Sequence, residues 1–139
     1  MTSPSTALIQ SLANLGVEVI FSLSGNQIMP LYDACIDANV RIIHTRHEGA
    51  AVYMAEAYAQ ITGKMGVALV TAGPGLLNAI SALYSAAQSE TPLLLISGDS
   101  ASHLDGRGAF QELDQISICL LYTSPSPRDA IPSRMPSSA

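Results

Sequence analysis

The sequence has few charged residues and no cluster of basic ones. Charged side chains make up 12% of the 139 residues, and six basic against eleven acidic residues give a formal net charge of −5. Proteins that bind nucleic acid neutralise its phosphates with clustered basic side chains. The composition therefore argues against a nucleic-acid partner, and the low charge content is typical of a domain with an extensively covered surface.

Long apolar runs are also absent. The longest ones, such as Leu93–Ile96, are far shorter than the ~20 residues that a membrane-spanning helix requires. Residues 1–10 have neither the basic region nor the apolar core of a secretory signal. We therefore expect no membrane association and a cytoplasmic location.

Cysteine is scarce, and several familiar catalytic motifs are missing. Cys35 and Cys119 do not form a Cys-x-x-Cys pair and are predicted to be reduced thiols without a special role. The sequence has no Gly-x-Ser-x-Gly elbow, no GxxxxGK[ST] loop and no GxGxxG fingerprint. The segment His44–Glu48 holds two histidines and an acid, but position 51 is alanine where the zinc motif HExxH needs histidine. We therefore expect no metal site there.

The sequence does contain a regular alternation of amphipathic and apolar segments. Apolar residues recur at helical spacing in four stretches, and each stretch is followed by a short apolar run and then by a polar or glycine-rich turn. The predicted helices cover residues 4–15, 28–38, 50–61 and 76–88, and the predicted strands cover 17–21, 41–45, 66–71 and 93–97. A further helix is predicted from about Phe110. Connections of this length favour an α/β fold, an open parallel sheet with helices on both faces.

Polar and glycine residues follow the carboxyl end of each predicted strand. They form four segments, which we call the rim: Ser24–Asn26, His47–Glu48, Thr71–Gly75 and Ser97–Ser100. The carboxyl ends of parallel strands meet at one edge of a sheet, and ligands bind in the crevice at that edge. The sequence therefore predicts a ligand site at the rim.

Glu48 is the candidate functional acid of the rim. It lies at a strand-to-helix junction, and the small residues Gly49–Ala51 follow it and leave room for a large flat ligand. Simpler interpretations remain open. An acid in the first turn of a helix interacts favourably with the helix dipole, Gly73–Gly75 can be a plain tight turn, and Asp99 is expected to cap a turn.

Blocks of sequence from about Ala7 to Ile118 together resemble the N-terminal pyrimidine-binding domain of thiamine-diphosphate-dependent enzymes, in the acetolactate synthase-like group. No single block is specific, but their order and spacing are. The blocks are Gly16-Val-Glu-Val-Ile-Phe21, Arg46-His-Glu-x-Ala-Ala51, Thr62-Gly-Lys-x-Gly-Val67, Thr71-Ala-Gly-Pro-Gly-x-x-Asn78, Thr91-Pro-Leu-Leu-Leu-Ile-Ser-Gly98 and Gly108-Ala-Phe-Gln-Glu-x-Asp114.

The resemblance implies a cofactor, thiamine diphosphate, and a role for particular residues. It implies that Glu48 is catalytic and hydrogen-bonds a ring nitrogen of the cofactor's aminopyrimidine. It implies that Phe110 and Gln111 approach the substrate, and that the pyrimidine pocket is lined by Gly25, Thr71, Pro74 and Asn78. The implied reaction is decarboxylation of a 2-oxo acid such as pyruvate and transfer of the resulting carbanion.

Departures from the family pattern leave the substrate open. The segment Ser22–Gly25 keeps only the last glycine of the usual Gly-x-Pro-Gly turn, Gly49 stands where glutamine is common, and Ala101 stands where proline is common. A relative that acts on another 2-oxo acid or on a 2-hydroxyacyl-CoA is therefore an alternative. A non-catalytic subunit-interface module and a Rossmann nucleotide binder are further alternatives, because a fold does not fix a function.

The resemblance also implies parts that this chain does not contain. Mg²⁺ is expected to be bound in a diphosphate-binding domain of a second subunit, within a homodimer or homotetramer, and FAD is a possible further cofactor of a full-length parent. We predict that residues 1–120 form one incomplete domain. Residues 121–139 contain four of the eight prolines. We expect this segment not to pack against the domain, and its sequence to be unrelated to that of the family.

Overall fold

The computed structural model describes residues 3–119, so the predictions for residues 120–139 lie outside the described part of the chain. Strands and helices alternate in it as the sequence indicates. In chain order they are α1 (Pro4–Asn14), β1 (Val19–Ser22), α2 (Met29–Asp37), β2 (Arg41–His44), α3 (Glu48–Thr62), β3 (Gly66–Val70), α4 (Pro74–Gln88), β4 (Leu93–Ser97) and α5 (Gln115–Cys119). Short 3₁₀ turns cover Asn26–Ile28 and Ser102–Leu104.

The four strands form one parallel sheet in the order β2-β1-β3-β4. The chain runs from β1 outward to β2 and then returns to the other side of β1 for β3, so β1 and β3 are the inner strands. All five residues of β3 are buried, as expected for a strand that is covered on both faces. The predicted α/β class with a parallel sheet is confirmed.

Successive strand residues point to opposite faces, and each face has its own core. On one face Ile20, Val67 and Leu69 pack with α1 and α2. On the other face Phe21, Ala68 and Val70 pack with α3 and α4. The second face is lined mainly by alanine, which lets these two helices approach the sheet closely.

Helix α3 approaches the sheet closely at Gly66, the first residue of β3. A Cβ built there would lie 2.1 Å from the backbone oxygen of Ala55 in α3. Only a residue without a side chain therefore fits at this point.

A buried acid, Glu56, joins α3 to the end of α4. Its side chain is 8% exposed, and its Oε1 accepts hydrogen bonds from Ser89 Oγ at 2.7 Å and Gln60 Nε2 at 3.3 Å. Ser89 is the C-terminal cap of α4. Because buried carboxylates are costly unless hydrogen-bonded, these partners explain why the acid can be placed in the helix interface.

The prediction that a helix starts at about Phe110 was wrong. Helix α5 begins at Gln115, and the residues before it form a loop. Gln111 has a positive φ of 65°, and Glu112 accepts hydrogen bonds from the backbone N–H groups of Gly106 and Ala109. These contacts hold residues 106–112 in a turn that a helix cannot continue.

Among residues 3–119, no helix is both long and apolar enough to cross a membrane.

Candidate functional site

Glu48 lies at the rim, where it is the first residue of α3, two residues before the predicted start of that helix. His47 caps this helix, since its Nδ1 accepts a hydrogen bond from the Gly49 N–H at 3.0 Å. Thr45 Oγ1 donates to the carbonyl oxygen of His47 at 3.0 Å and fixes the chain just before the cap. The Glu48 side chain is only 8% exposed. Its carboxylate therefore faces the interior of the rim rather than bulk solvent.

The two oxygens of Glu48 have different surroundings. Asn78 Nδ2, from α4, donates to Oε2 at 3.0 Å. A Cβ built at Gly75 would lie 3.5 Å from Oε1 and 2.7 Å from Thr71 Cγ2. Oε1 therefore has no side chain of residue 75 against it and no hydrogen-bond partner in the described contacts, and in this sense we call it the uncovered oxygen; Oε2 is fixed by Asn78.

The ends of the two inner strands meet at Thr71. A Cβ built at Gly25 would lie 2.4 Å from Thr71 Cβ, so only glycine fits there. Thr71 Oγ1 donates to Gln27 Oε1 at 2.7 Å. The segments after β1 and β3 are therefore in direct contact, although they are far apart in sequence.

The fourth rim segment closes on the first. A Cβ built at Gly98 would lie 2.7 Å from Gln27 Cβ, and the Gly98 N–H donates to Val70 O at 2.9 Å. Asp99 Oδ1 accepts from the N–H of the next residue, Ser100, at 2.7 Å; its expected turn-capping role stays a prediction, because an Asx turn bonds the backbone two residues on. All four predicted rim segments thus lie at one edge of the sheet.

The structure brings together Glu48, Asn78, Thr71 and Gly25, but it places the other predicted residues differently. Pro74 is an exposed residue in the first turn of α4. Phe110 is 77% exposed, and Gln111 reaches the rim through its backbone, whose oxygen would lie 2.6 Å from a Cβ at Gly73. The substrate-side role of Phe110 and Gln111 stays a prediction.

The loop that carries Phe110 is expected to depend on pH through Glu112. The Gly106 N–H, and after it the Ala109 N–H, hold the pKa of Glu112 below its ordinary value of 4.5. Because the folded state has the lower pKa, this acid stabilises the loop above about pH 4.5, and the contribution is lost as the pH falls through the lowered value. The protection factor of the Gly106 amide, which is the intrinsic exchange rate at a given pH divided by the rate observed by NMR, should be severalfold lower at about pH 3 than at about pH 6.

The variant Glu112→Gln provides the control for this prediction. Its Gly106 amide should have a low protection factor already at the higher pH and show little further change on acidification, since the glutamine side chain carries no charge to lose. Equal pH dependence in the two proteins would show that another group controls the loop.

Two rim residues were missed at the level of sequence. Gln27 directly follows the predicted segment Ser24–Asn26, so extending that polar segment by one residue would have included it. Gln115 is buried and hydrogen-bonds the Gly73 N–H, but it lies in a polar stretch that has no motif or period. Only the folded chain shows that it belongs to the rim.

Comparison with known proteins accounts for this arrangement. A family model described as thiamine pyrophosphate enzyme, N-terminal TPP binding domain, matches residues 3–118. The chain belongs to this family. Thiamine pyrophosphate (TPP) is the same molecule as thiamine diphosphate, so the cofactor implied by the sequence blocks is supported.

Similar curated proteins have two different activities. The chain is 46% identical over 112 residues to 2-hydroxyacyl-CoA lyase 2 of Danio rerio, with 81% of this chain and 18% of the relative covered. The lyase of the same name from Homo sapiens is 46% identical over 103 residues, with 74% and 16% covered. The acetolactate synthase large subunit of Buchnera aphidicola subsp. Schizaphis graminum is 45% identical over 117 residues, with 84% and 20% covered. The chain thus spans about a fifth of the length of these relatives.

The groups at the rim fit the aminopyrimidine ring of TPP. Such a ring presents nitrogen atoms at its edge and a flat face. The rim offers a buried carboxylate with one uncovered oxygen and, beside it, glycines at positions 25 and 75 that keep side chains out of the way. Within residues 3–119, no group of three His, Cys, Asp or Glu side chains is placed to hold a metal ion.

Proposed function

We propose that this domain binds the aminopyrimidine of TPP through Glu48 and so forms part of an enzyme that cleaves or joins carbon–carbon bonds next to a carbonyl group. The observation that carries the proposal is the buried Glu48 carboxylate, with Oε2 fixed by Asn78 and Oε1 uncovered beside Gly75. A merely structural first-turn acid has no need of an uncovered, buried oxygen.

The residues of the rim have separable roles in this proposal. When bound, the cofactor supplies an electron sink for the carbanion that forms when a carboxylate or acyl group leaves. Glu48 Oε1 accepts or holds the proton of a ring nitrogen, which is general acid–base work. Asn78, an exposed residue of α4, donates to the carboxyl group and keeps it in one orientation, while the low exposure of Glu48 itself limits access of water to the carboxylate. Thr71, packed against Gly25, and Gly75 shape the wall of the pocket.

The partner in this proposal is the diphosphate-binding domain of a second subunit, which also binds the Mg²⁺. The outer side of α3 and α4 supports a protein contact, because large apolar side chains are exposed there between 40% and 50%: Tyr53, Met54, Leu77 and Tyr84. Aromatic residues and methionine are enriched at protein interfaces. The assembly in this proposal is a homodimer or homotetramer of the full-length enzyme.

The proposed substrate is a 2-oxo acid such as pyruvate, decarboxylated in the manner of an acetolactate synthase. A 2-hydroxyacyl-CoA is the second candidate, and the 46% identity to two lyases of that name favours it. Both reactions need the same acid at the rim. The discriminating residues therefore lie on the substrate side, where Phe110 and Gln111 are the candidates in this chain.

The proposal is tested by supplying a diphosphate-binding domain as a separate protein. The 139-residue chain is mixed with a separately produced diphosphate-binding domain, TPP and Mg²⁺, and turnover of pyruvate and of a 2-hydroxyacyl-CoA is measured in parallel. Turnover that requires the chain supports the enzyme, and the faster substrate identifies the reaction class. Tight association without turnover of either substrate would instead support a non-catalytic interface module. Added FAD shows whether this second cofactor contributes.

A further inference from the structure

Gln115 is a buried polar side chain at the rim that the proposed chemistry does not use. It is 9% exposed. Its Oε1 accepts hydrogen bonds from the Gly73 N–H at 3.2 Å and from Ser97 Oγ at 2.9 Å, and its Nε2 donates to the Gly98 carbonyl at 2.9 Å. One side-chain amide therefore joins the turns that follow β3 and β4 to the first residue of α5.

The turn that Gln115 holds has an unusual backbone. Gly73 has φ 57° and ψ −108°, a conformation that residues with a side chain rarely adopt. The backbone oxygen of Gln111 packs against it, since it would lie 2.6 Å from a Cβ at this position. Gly73 is thus contacted by the side-chain amide of Gln115 and by the backbone of Gln111, in the loop that precedes α5.

The position of Gly73 determines where α4 begins. Its carbonyl oxygen accepts from the Leu77 N–H at 3.0 Å and closes the first turn of the helix. That turn contains Gly75, and Asn78, the next residue after Leu77, donates to Glu48 Oε2. A shift of Gly73 therefore moves both groups that control the Glu48 carboxylate.

We propose that Gln115 is a positioning residue of the cofactor site. By holding the Gly73 N–H it sets the start of α4, and through it the placement of Gly75 and Asn78 relative to Glu48. The inference rests on the proposed function of Glu48 as the acid that binds the aminopyrimidine.

Glutamine is suited to this role because it is both an acceptor and a donor. Leucine has a similar size but would leave the Gly73 N–H without its acceptor in a buried place, which is the costly way to lose a hydrogen bond. Glutamate keeps an acceptor for Gly73 and Ser97, but its second oxygen takes the place of the donor that faces the Gly98 carbonyl, so the disturbance is expected at Gly98. The two variants therefore separate the hydrogen bond to Gly73 from simple filling of space.

The test uses the 139-residue chain labelled with ¹⁵N-glycine, whose ten glycines give a simple NMR spectrum. Free thiamine is titrated, because it carries the aminopyrimidine without the diphosphate. In Gln115→Leu the signals of Gly73, Gly75 and Gly49 should shift before any ligand is added, and the Kd for thiamine should rise about tenfold, as expected for one lost buried hydrogen bond. In Gln115→Glu the Kd should stay within about threefold of the parent value.

Gln10→Leu is the matched control, since Gln10 is an exposed residue of α1 that bonds only its own helix neighbour Asn14 in the described contacts. It should leave the site glycines and the Kd unchanged. Unshifted Gly73 and Gly75 signals in Gln115→Leu would overturn the proposal. Tighter thiamine binding by the leucine than by the glutamate variant would also overturn it, because it would show a packing role.

The experiment still decides if one variant does not fold or if the parent chain does not bind thiamine. If Gln115→Leu does not fold, the Gln115→Glu variant is used instead. A shifted Gly98 signal with unchanged Gly73 and Gly75 signals and an unchanged Kd supports the proposal. A shifted Gly73 signal with weaker thiamine binding refutes it. If the parent chain does not bind thiamine, the proposed function of Glu48 is wrong, while the ligand-free shifts of Gly75 and Gly49 still report whether Gln115 positions the turn.

Discussion

Replacing Glu48 by glutamine should lower turnover of the reassembled enzyme by about 10²–10⁴-fold, the usual effect of removing a general acid–base group. Glutamine has nearly the same shape and retains an oxygen that can accept from Asn78, so α3 should still form. What is lost is the group that can hold a proton on the uncovered side, beside Gly75. The measurement is kcat/KM for the preferred substrate, with the melting temperature recorded for each protein.

Glu56→Gln is the matched control for this prediction. Glu56 lies in the same helix and is equally buried, with 8% exposure for each acid, but its partners are Ser89 and Gln60 rather than residues of the rim. Its replacement should leave kcat/KM close to that of the parent. Equal losses in the two variants would show that the effect arises from a damaged helix and that Glu48 has no chemical role.

Replacing Gly66 by alanine should destabilise the domain by about 3 kcal/mol, at the upper end of the cost of overpacking a core. The added methyl would lie 2.1 Å from the Ala55 carbonyl oxygen, and a backbone group cannot turn aside as a flexible side chain can. Helix α3 would have to move away from β3. Since domains of this kind are stable by about 5–15 kcal/mol, urea denaturation should detect the loss easily.

Gly16→Ala adds the same methyl group at a place without this clash. Gly16 has a φ of 89°, and nothing lies within 4 Å of a Cβ built there. Only the left-handed backbone conformation should be penalised, by about 1 kcal/mol. If the two variants unfold at the same urea concentration, the contact between α3 and β3 is not as tight as its geometry indicates.

The sheet was predictable because its signals are local. A continuous apolar run predicted β4 at residues 93–97, and the structure has the strand there. Gly63 was predicted to stop α3, and it caps the C-terminal end of that helix in the left-handed conformation. Helices α3 and α4 begin two residues earlier than their apolar period indicated, at Glu48 and Pro74. Their first turns contain polar or small residues, which carry no hydrophobic signal.

The interior of the site was less predictable than its location. The rule that strand ends meet at one edge predicted the rim, but it does not show which side chains touch. The contact of Gln27 with Thr71 joins residues 44 positions apart, and that of Gln115 with Gly73 joins residues 42 apart. Such pairs depend on how two crossovers pack in space, and no local pattern in a single sequence records that.

The two buried acids of α3 also have a mechanical consequence. Glu48 is bonded to Asn78 near the start of α4, and Glu56 is bonded to Ser89 at its end. The two attachments are separated by roughly 12 Å along α3 and roughly 16 Å along α4, so the helices cannot slide past each other or move apart without breaking one of them. A ligand that displaces Glu48 is therefore expected to move α3 and α4 together rather than α3 alone.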